Sequence, residues 1–447
     1  MPLRIERMAD MGIHIPLPLT IFARVLPLLC LMPSGFAQTP HYTVHDLGPL
    51  QGSVTGINIH GQVVGYSTIG GQVHGFRTAA NAPIYWTTDD LGTLGGTTSQ
   101  AYGINASGQV VGWSLTGTGQ THGFRTAANA SINATTDDIG TLGGSTSQAF
   151  AINDSGQVTG GSTNSSGVSQ AFLTAPNSAI NPTTDNIGAL PFTPFVPEYS
   201  FGEGINAEGH VSGVFFPHTS GPYPTAFLYR GGMITEIPAV HDAADQTFTA
   251  LNDHDQIAHN EIGSLLLWQN GTLTELAACR DCPPFGINNS GEVVGGGSNE
   301  FPGPGMLRAY LYSNGTLYLL QDLIPANSGW SLAPWASVIN DRGQIAGVGS
   351  LNGETHAYRL DPVITPPQAI SQIIDLISSF GLNQGQANAL TSLLNAAVKS
   401  WNKGDTQAAR RQLNSFEYLV RAQSGKALTT DEANQLLEDA EGAIQFM

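Results

Sequence analysis

Between residues 57 and 347 the chain repeats one pattern of apolar and polar positions. An apolar residue and an asparagine precede a turn, and a glycine, a polar residue and two mostly apolar residues follow, as in Ile57-Asn58 with Gly61–Gly65. Asn accepts backbone hydrogen bonds at a turn and Gly takes positive φ, so the pattern predicts a tight hairpin between buried strands. The pattern occurs seven times, roughly 47 residues apart. The copies are Ile57-Asn58, Ile104-Asn105, Ile152-Asn153, Ile205-Asn206, Leu251-Asn252, Ile287-Asn288 and Ile339-Asn340.

Two further elements recur seven times each. One follows the hairpin and carries a large apolar residue, which predicts a third strand. Its copies are His74-Gly75-Phe76, His122-Gly123-Phe124, Gln170-Ala171-Phe172, Thr225-Ala226-Phe227, Leu266-Leu267-Trp268, Arg308-Ala309-Tyr310 and His356-Ala357-Tyr358. The other predicts a fourth strand. Its copies are Asp46-Leu47-Gly48, Asp90-Leu91-Gly92, Asp138-Ile139-Gly140, Asn186-Ile187-Gly188, Glu236-Ile237-Pro238, Glu275-Leu276-Ala277 and Asp322-Leu323-Ile324.

Four short strands in each of seven periods predict a mainly β fold, a seven-bladed β-propeller over residues 38–362. An open solenoid usually has a shorter period, and a two-sheet sandwich would not repeat itself. The first Asp-Leu-Gly element precedes the first hairpin, and none follows Tyr358. Either Tyr42–Gly48 completes the seventh blade beside Tyr358, or this element opens every blade. The sequence leaves both arrangements open.

The pattern changes after Pro362. Residues 363–367 contain two adjacent prolines and are interpreted as a linker. Beyond them, apolar residues recur at helical spacing, as in Ile370, Ile373 and Ile377, and Thr429 with Glu432 has the spacing of a capping box. We expect a small all-α bundle of four helices over residues 368–447.

The N-terminal segment 1–37 has the features of a signal peptide. Arg4 and Arg7 precede a mainly apolar stretch, and small residues stand before Gln38. A membrane anchor is the alternative, but Arg24 and two prolines interrupt the stretch. The sequence therefore predicts a secreted or periplasmic protein without a membrane span after signal removal.

The composition and net charge limit the classes of molecule that the protein is expected to bind. Charged residues make up only 11% of the chain, 54 residues are glycine, and the formal net charge is −18. Such a surface repels nucleic acid and anionic lipids, so neither is an expected partner.

The two cysteines beyond the signal segment, Cys279 and Cys282, are predicted to form a disulfide in an oxidising compartment. A zinc site or a redox thiol pair would need further ligands or a strand–helix setting that the sequence does not display.

Acidic pairs and histidines are the first candidates for chemistry. Asp89-Asp90 and Asp137-Asp138 could serve as acid and base, but adjacent strand residues point to opposite faces, which favours turn and strand-entry roles. His74, His122 and His356 occupy matching places in three blades. They would either converge near a central channel or form hydrogen bonds between blades, and the second interpretation is favoured.

Asp154, Asp253 and Asp341 follow the turn asparagine in three repeats and raise the question of calcium. The other repeats place Ile59, Ala106, Ala207 and Asn289 there, so no fixed ligand set is maintained. No cofactor is predicted, with weak stabilisation by Ca²⁺ as the alternative. Sequence signatures of a nucleophile elbow, a zinc-protease helix or a phosphate loop are lacking, and no catalytic residue is assigned.

Two stretches depart from the period, Pro191–Tyr199 and Asn299–Gly305. Both are rich in Pro or Gly and are interpreted as surface loops. Their polar residues Glu198, Tyr199 and Glu300 are the candidate ligand contacts.

The run Asp90–Gly96 with Gly103-Ile104-Asn105, Gly108–Gly112 and His122-Gly123-Phe124 resembles the HAF family of bacterial extracellular repeats. The resemblance covers roughly residues 42–360 and implies an exported bacterial protein, without defining an activity. The helical part, residues 368–447, resembles the FIMAH domain of secreted bacterial proteins, notably across Leu413–Ala440. That resemblance implies an accessory module for attachment, sorting or association.

These observations favour a secreted binding or structural module whose partner is an extracellular glycan or a surface protein. The alternative is a polysaccharide-active hydrolase or lyase with its site at the propeller channel.

Overall fold

The computed structural model describes residues 39–188, 197–217, 225–238, 249–261, 263–279, 282–298, 307–445 and 447. The predicted signal peptide 1–37 and Glu300 lie outside the described residues.

The described strands form seven antiparallel sheets, one for each repeat, which confirms the seven-bladed β-propeller. Blade 1 comprises β2 (Gly52–Ile57), β3 (Val63–Ile69) and β4 (Gln72–Arg77). Blade 2 comprises β5 (Gly95–Ile104), β6 (Val110–Thr116) and β7 (Thr121–Arg125). Blade 3 comprises β8 (Gly143–Ile152), β9 (Val158–Asn164) and β10 (Ser169–Leu173). Blade 4 comprises β11 (Pro197–Ile205), β12 (Val211–Pro217), β13 (Thr225–Arg230) and β14 (Met233–Glu236).

The remaining three blades have four strands each. Blade 5 comprises β15 (Thr249–Leu251), β16 (Ile257–Glu261), β17 (Ser264–Gln269) and β18 (Thr272–Ala278). Blade 6 comprises β19 (Pro284–Ile287), β20 (Val293–Ser298), β21 (Leu307–Ser313) and β22 (Thr316–Leu319), followed by a 3₁₀ helix at Leu320–Leu323. Blade 7 comprises β23 (Trp330–Ile339), β24 (Ile345–Leu351), β25 (Glu354–Pro362) and β1 (Tyr42–Pro49).

The first strand of each blade contacts the first strands of both neighbouring blades, and β23 contacts β2. The first strands therefore form the innermost ring, and the ring is closed. Apolar side chains fill the space between adjacent sheets, as where Val54 and Phe76 of blade 1 pack against Ala346 of blade 7.

The structure decides between the two arrangements that the sequence left open. Strand β1 pairs antiparallel with β25, with Tyr42 opposite Pro362 and Asp46 opposite Tyr358. The N-terminal strand is therefore the outer strand of blade 7, and it fastens the two ends of the propeller to each other.

The predicted fourth strand is reduced in blades 1 to 3 to single bridges, for example Phe76 with Asp90. The Asp90 carboxylate accepts a hydrogen bond from the Gly92 amide at 2.8 Å. This local turn directs the chain away from the sheet after a single bridge, so that no longer run of strand pairing follows at this point. In blade 6 the predicted element at Asp322 is wrong by a few residues, because Asp322 lies in the 3₁₀ helix that follows β22.

A glycine on the second strand faces a large ring on the third strand in six of the seven blades. Gly213 is opposite Phe227, and a Cβ at this glycine would collide with that ring. Blade 5 instead pairs His259 with Leu266, so the sequence comparison that equated Trp268 with the phenylalanines was wrong. Trp268 lies two residues further along and pairs with Ile257.

The C-terminal part consists of α1 (Pro366–Ser379), α2 (Gln384–Trp401), α3 (Thr406–Gln423) and α4 (Thr430–Gln445). Their apolar faces share one core, which includes Ile373, Leu394 and Phe416. The predicted capping box is present, since Thr429 N–H donates to Glu432 and Glu432 N–H donates to the Thr429 hydroxyl.

Helix α1 starts two residues earlier than expected, at Pro366 rather than after the two prolines. Proline is compatible with the first turn of a helix, where no intrahelical N–H bond is made. Helix α4 is joined to the propeller by an ion pair of 2.6 Å between Asp439 and Arg342, which lies in the first turn of blade 7. Within the described part of the chain, no helix is long and apolar enough to cross a membrane.

Candidate ligand-binding channel

The seven turn asparagines form a closed ring of hydrogen bonds around the propeller. In each blade the side-chain oxygen accepts backbone N–H groups of its own turn, as Asn153 Oδ1 does from Gln157 N at 3.0 Å. The side-chain nitrogen donates to the carbonyl of the equivalent asparagine in the next blade. These distances are 3.0 Å from Asn58, 3.1 Å from Asn105, 3.0 Å from Asn153, 3.4 Å from Asn206, 3.0 Å from Asn252, 3.3 Å from Asn288 and 2.8 Å from Asn340 back to Asn58.

All seven asparagines are buried, so these bonds replace hydration that the amides and carbonyls have lost. The sequence indicated the role of each asparagine in its own turn. It did not indicate the bond to the next blade, because that contact exists only when the ring is closed.

The residue after each ring asparagine lies at one end of the inner strands, and carboxylates gather there. Asp154 accepts from Ala106 N at 2.8 Å, and Asp341 accepts from Asn289 N at 2.7 Å. The Asn289 amide nitrogen also donates to Asp253 at 2.8 Å and to Asp341 at 3.0 Å. The three aspartates that the sequence singled out are thus brought to one rim, where they tie neighbouring turns together.

The pKa of Asp341 is raised, first by removal of its carboxyl from bulk water. The Asn289 N–H opposes this shift, whereas the carboxylates of Asp253 and Asp154 add to it. The carboxylates are therefore near enough to repel one another. Among the described residues, no set of three or more His, Cys, Asp or Glu side chains is arranged to hold a metal ion.

A second level of the channel is set by bulges in the first strands. The pairing register shifts at Thr55, Tyr102, Phe150 and Glu203, three residues before the ring asparagine. Each of these side chains leans onto the next blade: Thr55 donates to Ala101 O, and the ring of Tyr102 packs on Phe150. All four residues are only partly buried. Because they lie on the innermost strands, their remaining exposed surface faces the channel.

Six aromatic residues of blades 2 to 4 form what we call the aromatic wall: Tyr102, Trp113, Phe150, Tyr199, Phe201 and Phe216. Ring centroids are 5.6 Å apart for Tyr102 and Phe150, and 6.4 Å apart for Phe150 and Phe201. Tyr199 lies 5.9 Å from Phe201 and stacks on Phe216 at 4.3 Å. Each of the six is half-buried. The wall is therefore continuous across three blades and keeps accessible ring surface.

Polar groups fix one end of the aromatic wall. Trp113 Nε1 donates to the Tyr102 hydroxyl at 3.2 Å, and that hydroxyl donates to Gln100 at 2.8 Å. Burial raises the pKa of Tyr102, so the hydroxyl stays protonated. In the middle of the wall, Phe201 covers Gly161, where a Cβ would collide with the ring.

Glu203 occupies in blade 4 the bulge position that Phe150 occupies in blade 3. Its Oε2 accepts from both the backbone N–H and the hydroxyl of Thr249, each at 2.9 Å. Burial raises the pKa of this carboxyl to about 7, against the opposing effect of the two Thr249 bonds. Glu203 is not among the candidate residues predicted from the sequence. The signal was an acidic residue directly before Gly204-Ile205-Asn206, where other repeats carry Thr, Tyr, Phe or Ser.

Two of the three predicted ligand contacts, Glu198 and Tyr199, lie among the described residues. Glu198 and Tyr199 lie in β11, so the expected surface loop Pro191–Tyr199 was wrong for its last three residues. Tyr199 belongs to the aromatic wall. It lies two residues before Phe201 on β11, and its ring stacks on the ring of Phe216.

The histidines form neither of the two expected arrangements. His74 Nδ1 lies 3.0 Å from the Asp90 carboxylate, and His356 Nδ1 lies 2.8 Å from Asp46. These bonds join the third and outer elements of one blade, so the favoured hydrogen bond between blades was wrong. The cause is the strand register. Each histidine lies two residues before an aromatic residue of the third strand, and that aromatic residue pairs with the aspartate of the outer element.

The acidic pairs divide as expected from strand geometry. Asp89 accepts the Tyr85 N–H at 2.8 Å and closes a turn, while Asp90 takes the bond to His74. Elsewhere, Cys279 and Cys282 are joined by a disulfide next to β19. Tyr310 donates its hydroxyl to the Cys282 carbonyl at 3.1 Å.

Comparison with known proteins identifies one family. The FIMAH domain matches residues 368–445, in agreement with the resemblance seen in the helical part. No curated protein matches the chain.

Solved structures show only distant likeness. A gluconolactonase from Xanthomonas campestris has 10% identity and a TM-score of 0.35, covering 72% of this chain and 94% of that one. A puromycin-hydrolysing peptidase from Mycobacterium tuberculosis has 10% identity and a TM-score of 0.42, covering 70% and 52%. A lectin from Aleuria aurantia has 9% identity and a TM-score of 0.31, covering 73% and 96%.

Proposed function

We propose that the protein is an exported binding module whose propeller channel takes an extracellular glycan at the aromatic wall. The observation that carries this proposal is the continuous set of half-buried rings on the inner strands of blades 2 to 4. Rings that served only as core would be fully buried, as Phe76, Phe124 and Phe172 are.

A glycan suits this surface for a physical reason. Sugar rings present apolar C–H faces that pack against aromatic rings, and hydroxyl groups that need hydrogen-bond partners. Binding sites generally combine apolar and aromatic lining with a few placed polar groups. Gln100 supplies such a group beside the wall, through its bond to the Tyr102 hydroxyl.

The setting of the site agrees with an extracellular role. The HAF resemblance of the repeats and the FIMAH match of residues 368–445 both suggest an exported protein with a module for attachment or association. A surface glycan within reach of such a protein is a consistent ligand.

The proposal is tested by isothermal titration of residues 38–447 with neutral oligosaccharides of two to six units. The variant Phe150→Leu with Phe201→Leu removes ring surface and keeps apolar volume, and we expect binding to weaken about tenfold or more. Tyr418→Leu is the control, because Tyr418 is 77% exposed on the helical domain. Equal binding by the double variant and the native protein would contradict a site at the aromatic wall.

Catalysis is the second candidate, and Glu203 is the observation that favours it. A carboxyl with a pKa near 7 can act as a proton donor at neutral pH. Glycoside hydrolysis would need a second carboxylate within about 5–10 Å. Chromatography of the titrated oligosaccharides after long incubation decides this point: products that disappear with Glu203→Gln would support a hydrolase or lyase, and intact sugars would support binding alone.

A further inference from the structure

A glutamine on the inner strand of blade 3 lies in the middle of the aromatic wall. Gln148 stands on β8, two residues before Phe150, and pairs with Gly161 on β9. Directly opposite residues of an antiparallel pair project from the same face of the sheet, with Cβ positions about 5 Å apart. The ring of Phe201 covers that face at Gly161. The Gln148 side chain is therefore on the same face as the Phe201 ring, whose centroid lies 6.4 Å from that of Phe150.

The equivalent glutamine of blade 2 is already engaged by its own blade. Gln100 pairs with Trp113, and its side-chain oxygen accepts from the Tyr102 hydroxyl at 2.8 Å. Trp113 Nε1 donates to the same hydroxyl at 3.2 Å. Blade 3 has Phe150 in place of that tyrosine and Gly161 in place of that tryptophan. The hydroxyl and the indole of blade 2 therefore have no counterpart beside Gln148.

The Gln148 amide is consequently open to a ligand. Among the described residues, none forms a hydrogen bond with this amide, and the side chain is half-buried. A primary amide carries an acceptor oxygen and a donor NH₂ group side by side. A ligand that covers the amide without bonding to it removes its water and loses binding free energy. The position therefore favours a ligand that supplies both a donor and an acceptor.

We propose that Gln148 determines the specificity of the aromatic wall and selects a neutral glycan with two free hydroxyl groups on adjacent carbons. This inference rests on the proposed function and specifies its ligand. One hydroxyl donates to Gln148 Oε1 and its neighbour accepts from Nε2, while the C–H face of the same sugar packs on Phe201. Neither the six residues of the wall nor Gln148 carries a charge at neutral pH, which suits a neutral ligand. Glycans whose adjacent hydroxyls are alkylated or acylated leave the amide without this pair of bonds and bind more weakly.

The test uses two neutral tetrasaccharides, cellotetraose and its derivative methylated on O2 and O3 of every unit. Both have the same backbone, and only the first has free hydroxyls on adjacent carbons. Isothermal titration of residues 38–447 with each probe gives the preference as a ratio of dissociation constants. We expect the native protein to bind cellotetraose about tenfold more tightly than the methylated probe.

The variant Gln148→Leu keeps a side chain of similar size and removes the amide, so the preference should fall to about onefold through weaker binding of cellotetraose. Gln72→Leu is the matched control, since Gln72 is exposed on β4 of blade 1, and it should keep the native preference. A preference that survives Gln148→Leu would show that the methyl groups only collide with the wall, and it would overturn this inference. Equal binding of both probes by the native protein would also overturn it and leave the glycan site in place. Failure of both probes to bind would refute the glycan site together with this inference.

Discussion

Replacing Asn153 with aspartate tests whether the asparagine ring holds the blades together. The side chain keeps its shape, and Oδ1 can still accept from Gln157 N. The Nδ2 donor is lost, and with it the bonds to Gln157 Oε1 at 2.9 Å and to Asn206 O at 3.0 Å. The Gln157 amide can rotate to donate, but the Asn206 carbonyl cannot, so a carboxylate oxygen then faces a carbonyl oxygen.

The magnitude follows from these contacts. One lost hydrogen bond and one buried acceptor left without a donor cost about 3 kcal/mol together, since Asn153 is 5% exposed. For a domain of this size that corresponds to a fall of about 4 °C in melting temperature. Asn270→Asp is the control, because Asn270 occupies an exposed hairpin turn with φ of 51°, and the Asp-Gly pair created there suits that turn equally well.

The pH dependence of the variant provides a second measurement. In the folded variant the new carboxyl at position 153 has a raised pKa, because its charged form faces a carbonyl in a buried site. Its stabilising contribution is present at low pH, where the neutral carboxyl donates to Asn206 O, and is lost as pH rises. The deficit measured by calorimetry should therefore be smaller at pH 4.5 than at pH 7.5. A loss no larger than that of the control, or a deficit that grows on acidification, would refute the role assigned to the ring.

Three further outcomes are expected. Deleting Thr39–Leu50 should abolish soluble folded protein, because it removes β1 and the buried Leu47 and exposes the edge of β25; a cooperative melting transition in the truncated protein would contradict this. Glu203→Gln should stabilise the protein by about 2 kcal/mol more at pH 8 than at pH 5, because a carboxyl with a raised pKa loses its stabilising contribution as pH rises from about 4.5 through about 7; equal effects at both pH values in urea titrations would disprove the burial of this charge. Replacing Cys279 and Cys282 with serine should cost about 2 kcal/mol, the value for so short a loop, with an unchanged circular dichroism spectrum.

Much of the architecture was predictable from local patterns. The Ile-Asn-x-x-Gly run specifies a turn through the hydrogen bonds of one asparagine and the positive φ of one glycine, and both are properties of a few adjacent residues. Because the run occurs seven times, the sequence also predicts the number of blades. The helical part was equally readable, because the spacing of Ile370, Ile373 and Ile377 places them on one helix face, and Thr429 with Glu432 caps the next element.

The functional surface could not be read in this way. Tyr102, Phe150 and Phe201 are separated by a full repeat or more in sequence and become one wall only because inner strands of successive blades lie side by side. Glu203 is an ordinary acid in its own strand, and its raised pKa arises from burial in the folded protein, which outweighs the two bonds from Thr249 of the next blade. The pairing of β1 with β25 joins two segments more than three hundred residues apart, on the order of the whole propeller. The sequence by itself determined the repeating unit, since local hydrogen bonds and periodicity define it. Only the tertiary structure decided which residues of different units meet in the channel, because those contacts depend on closing the ring.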